Sequence, residues 1–172
     1  MSVDCGVFHT LFVNESGKVF GMGGNTFGQL GINSKKSTAI PLQVTDLDHI
    51  FIKKVACGQH SAAISENGCL YIWGTGVFGE FYVPQKVETL NTVITDVSLG
   101  GGFGAVVDNN GLVWTWGSNA SGELGMGDFE PRITPFPVIA LQGKTVTSLS
   151  CGGSYIMALG RNVSASDPND GF

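Results

Sequence analysis

The chain has 172 residues, 42% of them hydrophobic and only 13% charged. That is enough for one domain with a real core and too apolar for a disordered chain. The net charge is −5, and the nine Lys and Arg pair up only at Lys35-Lys36 and Lys53-Lys54, which excludes the basic stripe that direct binding of DNA or RNA requires.

Glycine is the compositional outlier, 26 residues beside 6 prolines with no G-X-Y period. Many tight turns between short strands are therefore expected. In chain order, "VDCGVFHTLFV" (Val3 to Val13) is followed by a polar turn "NESGK", a strand "VFGMG", a loop "GNTFGQLG" and an extended run "IPLQV". The same order returns as "VACGQHSAAIS", "SENGC", "LYIWG", "TGVFGEF" and "VPQKV". It returns again as "VSLGGGFGAVV", "DNNGL", "VWTWG", "SNASGELG" and "PFPVI", and "LSCGGSYIMAL" opens a fourth copy. Gly6, Gly58, Gly100 and Gly152 mark the shared opening, at spacings of 52, 42 and 52. Gly23, Gly74 and Gly117 correspond, as do Gly28, Gly79 and Gly122. The short middle spacing reflects a loop deletion after Gly79, which a repeat framework tolerates. Units of this length with about four strands each predict β-propeller blades. The expected fold class is all-β: a partial, open-arc propeller of three to three and a half blades, each of four antiparallel strands. One domain is assigned to residues 1–160, with units over 3–54, 55–96 and 97–148, a partial fourth over 149–160, and a polar tail over 161–172.

The combination of V-x-C-G-x-x-H-[ST], N-G-x-[LV]-[YW]-x-W-G and G-[EQ]-L-G resembles the repeat of the regulator of chromosome condensation family, over residues 3 to about 160. The resemblance implies a seven-bladed propeller with four-stranded blades, of which this chain carries fewer than half. It also implies protein partners. One is another chain that completes the propeller; the alternative is a small GTPase, because the family's founding member is a guanine-nucleotide exchange factor. Family members occur in nuclei, cytoplasm, organelles and cilia. A light-sensing branch of the family uses tryptophan clusters, but its G-W-R-H-T repeat is absent here, where "GQHS" follows Cys57.

Several local signals resolve against this frame. Gly74-Thr75-Gly76-Val77-Phe78-Gly79 matches G-x-G-x-x-G, yet "EFYVPQKV" follows in place of the helix that a dinucleotide loop must start. It reads as a repeat turn, and no cofactor is expected. The start "MSVDCGVFHTLFV" lacks the pattern of a secretory signal, no apolar run is long enough to span a membrane as a helix, and Cys5, Cys57, Cys69 and Cys151 lack C-x-x-C spacing. These features lead to the expectation of an intracellular protein with free thiols, no membrane insertion and no metal site. The N-x-[ST] matches at Asn14, Asn119 and Asn162 read as coincidental.

His9 and His60 share a repeat position and are expected to tie blade to blade by hydrogen bonds, while Trp73 and Trp116 are expected to pack in the core. No pair of carboxylates suggests general acid and base, and Glu80 and Glu123 correspond to Gln29, so no catalytic residue is expected. Function is therefore sought in loops that depart from the repeat. The candidate partner surface comprises Lys35, Lys36, Phe129 and Arg132, with Phe78, Phe81 and Tyr82 beside the deletion as an aromatic group that suits an interface anchor and equally suits the core. The expected role is a non-enzymatic interaction module or scaffold, with nucleotide exchange on a small GTPase as the alternative.

Overall fold

In the computed structural model, residues 1–162 are described. The first sheet runs β1 (Ser2–Cys5), β2 (His9–Val13), β3 (Val19–Gly23) and β4 (Thr38–Gln43). The second is β5 (Ile52–Cys57), β6 (Ser61–Ser65), β7 (Leu70–Gly76) and β8 (Gly79–Lys86). The third is β9 (Ile94–Leu99), β10 (Phe103–Asp108), β11 (Val113–Gly117) and β12 (Arg132–Pro137). A hairpin of β13 (Lys144–Cys151) and β14 (Ile156–Asn162) follows. Strands pair in sequence order within each sheet, and every pairing is antiparallel. These are three complete blades and the first hairpin of a fourth, an open arc of propeller blades. β14 continues through Asn162, so the residues expected to begin the tail belong to a strand, and the remainder of that expected tail lies outside the described residues.

Local chemistry repeats from blade to blade. At the hairpin after each second strand, one polar side chain closes the turn: Asn14 Oδ1 accepts from Lys18 N at 2.9 Å, Ser65 Oγ from Cys69 N at 3.0 Å and Asp108 Oδ1 from Leu112 N at 3.0 Å. Asn, Ser and Asp suit this place because a short polar side chain reaches the backbone two to four residues on. The third strand of each blade carries Gly23, Gly74 or Gly117 at or near its end, with φ of 106°, 100° and 107°, a conformation that side chains oppose. Sequence patterning had not marked the single 3-10 turns Thr45–Leu47 and Ile139–Leu141 that lead from one blade to the next.

Blades stack through both ends of their inner strands. At one end, Val7 N donates to Gly58 O and Gln59 N to Gly100 O, each at 3.2 Å. A Cβ on Gly58 would lie 2.3 Å from Gly100 O, and one on Gly6 would lie 2.4 Å from Gly58 O. Only glycine allows these backbones to approach so closely. At the other end, Gly17, Gly68 and Gly111 carbonyls accept from Ile52, Ile94 and Val146. The core fills the space between blades: Leu11, Val13, Ile52, Val55 and Trp73 between the first and second; Ile64, Ile72, Phe78, Val97 and Trp116 between the second and third; Ala105, Val107, Val138 and Leu149 next. Accordingly β2 alternates buried and half-buried residues, while β6 and β10, covered on both faces, are buried throughout.

Candidate protein-interaction site

The polar wiring of the first junction sets a template. His9 Nε2 lies 2.7 Å from Ser61 Oγ, Ser61 Oγ lies 2.6 Å from the Gln29 carbonyl, and Trp73 Nε1 donates to that same carbonyl at 2.8 Å. A carbonyl only accepts, so the Ser61 proton goes to Gln29 and His9 Nε2–H must donate to Ser61. His9 thus ties the first blade to the second. Gln29 is presented by the loop 24–37, which Asn25 pins from within: its amide donates to Ser34 O and Lys36 O, and its Oδ1 accepts from Leu30 N. Asn119 does the same in the third blade, donating to Asp128 O and Glu130 O and accepting from Leu124 N. A third tie joins inner strands: Asp4 Oδ2 accepts from Cys57 N at 2.7 Å, and Ser98 Oγ from Cys151 N at 2.9 Å. Sequence reading missed Asn25 and Asn119, although each stands two residues after a strand-ending glycine where the second unit has Gly76. Asn119 is buried, so its sequon faces inward.

The junction between the second and third blades lacks all three ties. Gly104 stands where Ser61 stands, Ala56 where Asp4 and Ser98 stand, and the loop that would supply a carbonyl is reduced to the two-residue turn Val77–Phe78. His60 consequently departs from the expectation of a blade-to-blade hydrogen bond. Among the described residues both of its ring nitrogens, and Trp116 Nε1, are buried without a partner. Burial holds the His60 pKa down to about 3, with a smaller push from His9; burial alone holds His9 at about 4. Both imidazoles are neutral at physiological pH.

Phe78 fills the gap. It is 7% exposed, its ring centroid is 4.8 Å from that of His60, and it stacks on Phe81 at 6.3 Å. Of the two roles open to it, interface anchor or core, Phe78 takes the core, because the deleted loop left a hole that an apolar ring closes. Gly79 also departs from its expected equivalence. Gly28 and Gly122 close turns at φ of 72° and 76°, whereas Gly79 pairs with Gly76 across the hairpin at φ 122°. Phe81 is half-buried against both neighbouring core clusters.

Tyr82 is half-buried with Lys35 Nζ 4.8 Å from its ring centroid, and Lys35 also pairs with Glu80 at 2.9 Å. These contacts, largely exposed to solvent, hold the Lys35 ammonium pKa above its ordinary value, with Glu80 the larger cause and Tyr82 next. Lys36 is exposed beside them. Phe129 is 70% exposed, and Arg132 pairs with Asp128 at 2.6 Å. The structure thus brings Lys35, Lys36 and Tyr82 together and places Phe129 and Arg132 in another blade. Apolar side chains are exposed at both ends: Val3 on the face of β1 opposite Ser2 and Asp4, which reach the second blade, and Tyr155, Met157 and Leu159 on the last hairpin; Phe8 is exposed beside Gly24 and Phe27 of its own blade. Cys5 is exposed on the first of these faces, while Cys57, its repeat counterpart, is buried between blades and its thiol pKa is pushed up by that burial. Among the described residues no group of three or more His, Cys, Asp or Glu could hold a metal ion, and no helix is long and apolar enough to cross a membrane.

Comparison with known proteins places these features. The sequence profile of the regulator of chromosome condensation (RCC1) repeat matches residues 16–64 and 110–159, and a second profile of the same repeat matches 2–29 and 94–123. The chain is 30% identical over 167 residues to the ultraviolet-B receptor UVR8 of Arabidopsis thaliana, covering 91% of this chain and 38% of that protein. It is 36% identical over 163 residues to the human E3 ubiquitin-protein ligase HERC2, covering 87% of this chain and 3% of HERC2. The fold matches the crystal structure of Prp20p from Saccharomyces cerevisiae with a TM-score of 0.87 at 22% identity, over 95% of this chain and 44% of Prp20p. The chain spans less than half of each of these proteins. The repeated glycine stack, the blade topology and the profile matches agree, and the chain belongs to the RCC1 repeat family.

Proposed function

We propose that this chain is a non-enzymatic protein-interaction module, an arc of propeller blades that docks within a larger assembly. The observation that carries this reading is the pair of apolar faces at the two ends of the arc, with Val3 68% and Leu159 70% exposed. Apolar side chains gathered on one sheet face mark contact surfaces. The internal junctions indicate the occupant: each blade presents its inner strands to the next blade's inner strands, so the fitting partner is another blade of the same repeat, from the same polypeptide or a second one. The residues gathered around Lys35, Lys36 and Tyr82, and those around Phe129 and Arg132, offer further partner contacts. Sedimentation of the chain over a range of concentrations, with a hydrophobic dye, tests the reading. Dye binding and mass that rises with concentration are expected. A folded monomer at every concentration that binds no dye would overturn it.

A second reading is guanine-nucleotide exchange on a small GTPase. It draws support from the fold shared with Prp20p, a protein characterised for its binding to Gsp1p and histones. Exchange needs no covalent chemistry, only a surface that favours the nucleotide-free state. Measurement of GDP release from a panel of small GTPases decides it: acceleration of one supports exchange, and none across the panel removes it.

A further inference from the structure

The junction between the second and third blades holds polar groups that the fold leaves without partners. His60 and Trp116 are fully buried, and among the described residues neither His60 nitrogen nor Trp116 Nε1 meets a hydrogen-bond partner. At the first junction the equivalent indole, Trp73, donates to the Gln29 carbonyl, and Leu30, the next residue, is fully buried beside it. There the loop 24–37 supplies one acceptor and one apolar side chain. At the second junction no such loop exists. A groove of about 180 Å³ lies beside Phe78, lined by Ile72, Phe78, Phe81, Val87, Ile133 and Pro135 among others. Phe78 forms part of its wall and touches His60. The ring is carried on a two-residue turn between Gly76 and Gly79, the two residues with the greatest backbone freedom in that hairpin.

We infer that this junction is a socket for a peptide loop from a partner protein, which swings Phe78 aside, presents a backbone carbonyl to Trp116 Nε1 and seats an apolar side chain where Phe78 lies. A buried donor without an acceptor raises the energy of the closed state and so favours the open one when an acceptor is supplied. The chemistry of the occupant follows from the chain's own loop: a glycine-flanked turn with an apolar residue directly after the accepting carbonyl. This inference rests on the interaction-module reading, and it locates one contact at a single junction.

The probe is a synthetic peptide of residues 24–37, titrated into the full chain while the indole N–H resonances of Trp73, Trp114 and Trp116 are followed by NMR. The expected result is a saturable downfield shift of Trp116, with Trp73 and Trp114 unmoved. The Phe78→Ala chain is expected to bind the peptide at least tenfold more tightly, and a peptide carrying Leu30→Ala at least tenfold more weakly. Phe78→Leu replaces Phe78→Ala where the smaller side chain prevents folding. A Trp116 resonance that stays fixed at millimolar peptide in the native and Phe78-substituted chains overturns the inference, as does an equal shift of Trp73. Failure here leaves the end-face association intact, whereas failure of that association leaves the Trp116 response readable, so the two claims separate.

Discussion

Ser61 shows how much one side chain can hold. It accepts from His9, donates to the Gln29 carbonyl and is fully buried. Ser61→Ala strands the His9 donor in the core and is expected to cost about 2 kcal/mol, read as a lower urea midpoint with an unchanged slope. Restoring the repeat at the other junction does not help: Gly104→Ser is expected to destabilise, because a Cβ there would lie 2.3 Å from the Trp116 ring. A gain in midpoint for Gly104→Ser would contradict the placement of that indole. The two histidines give a pH dependence with a definite sign. Their folded pKa values, about 4 for His9 and about 3 for His60, lie below the ordinary 6.5, so the unfolded chain takes up protons first as pH falls. Stability is therefore retained above pH 6.5 and is lost as pH drops from 6.5 towards 4, by up to about 1.4 kcal/mol per pH unit for each histidine. His60→Phe, matching Phe103 at the equivalent place, is expected to flatten that slope in urea titrations between pH 7.5 and 4.5. An unchanged slope would show that His60 is not buried neutral.

At the scale of the element, the inner-strand turns decide whether blades can stack. Gly58→Ala sets a Cβ against the rigid Gly100 carbonyl and is expected to lose about 1–3 kcal/mol or more. Gly153→Ala, with nothing within 4 Å, is expected to change stability by less than about 0.5 kcal/mol. Thermal melts of the pair check this, and equal losses would contradict the stacking account. The long loops are also elements in their own right, each pinned by one buried asparagine. Asn25→Ala is expected to loosen residues 24–37 and expose Trp73, read as a red shift and stronger quenching of tryptophan fluorescence. The second blade solves the same closure problem with a hairpin and a phenylalanine, exchanging hydrogen bonds for apolar packing.

For the whole molecule, stability is distributed along the stack, since each core cluster lies between neighbouring blades. The first blade and the last hairpin each have one face without a neighbour among the described residues, and Val3, Met157 and Leu159 lie exposed there. Leu159→Glu is expected to weaken self-association at least tenfold in sedimentation experiments while leaving the melting of the inner blades nearly unchanged. An unaltered association constant would place the contact elsewhere.

The sequence by itself determined the repeat, the strands and the turns. Each rests on residues close along the chain: Gly17, Gly68 and Gly111 with Asn14, Ser65 and Asp108 three residues before them make the same hairpin three times. The candidate site was less legible. Lys35 and Tyr82 were picked out by departure from the repeat, but that they meet depends on a loop of the first blade and a strand of the second. Phe78 stood in the same departing segment and is buried, because a deletion removes a loop and also demands something to fill its place. Only the tertiary structure decided which polar groups find partners, since His9 meets Ser61 52 residues on and His60 meets a glycine where that serine would be. A hydrogen bond across blades needs both ends, and the sequence of one blade cannot show what its neighbour has lost.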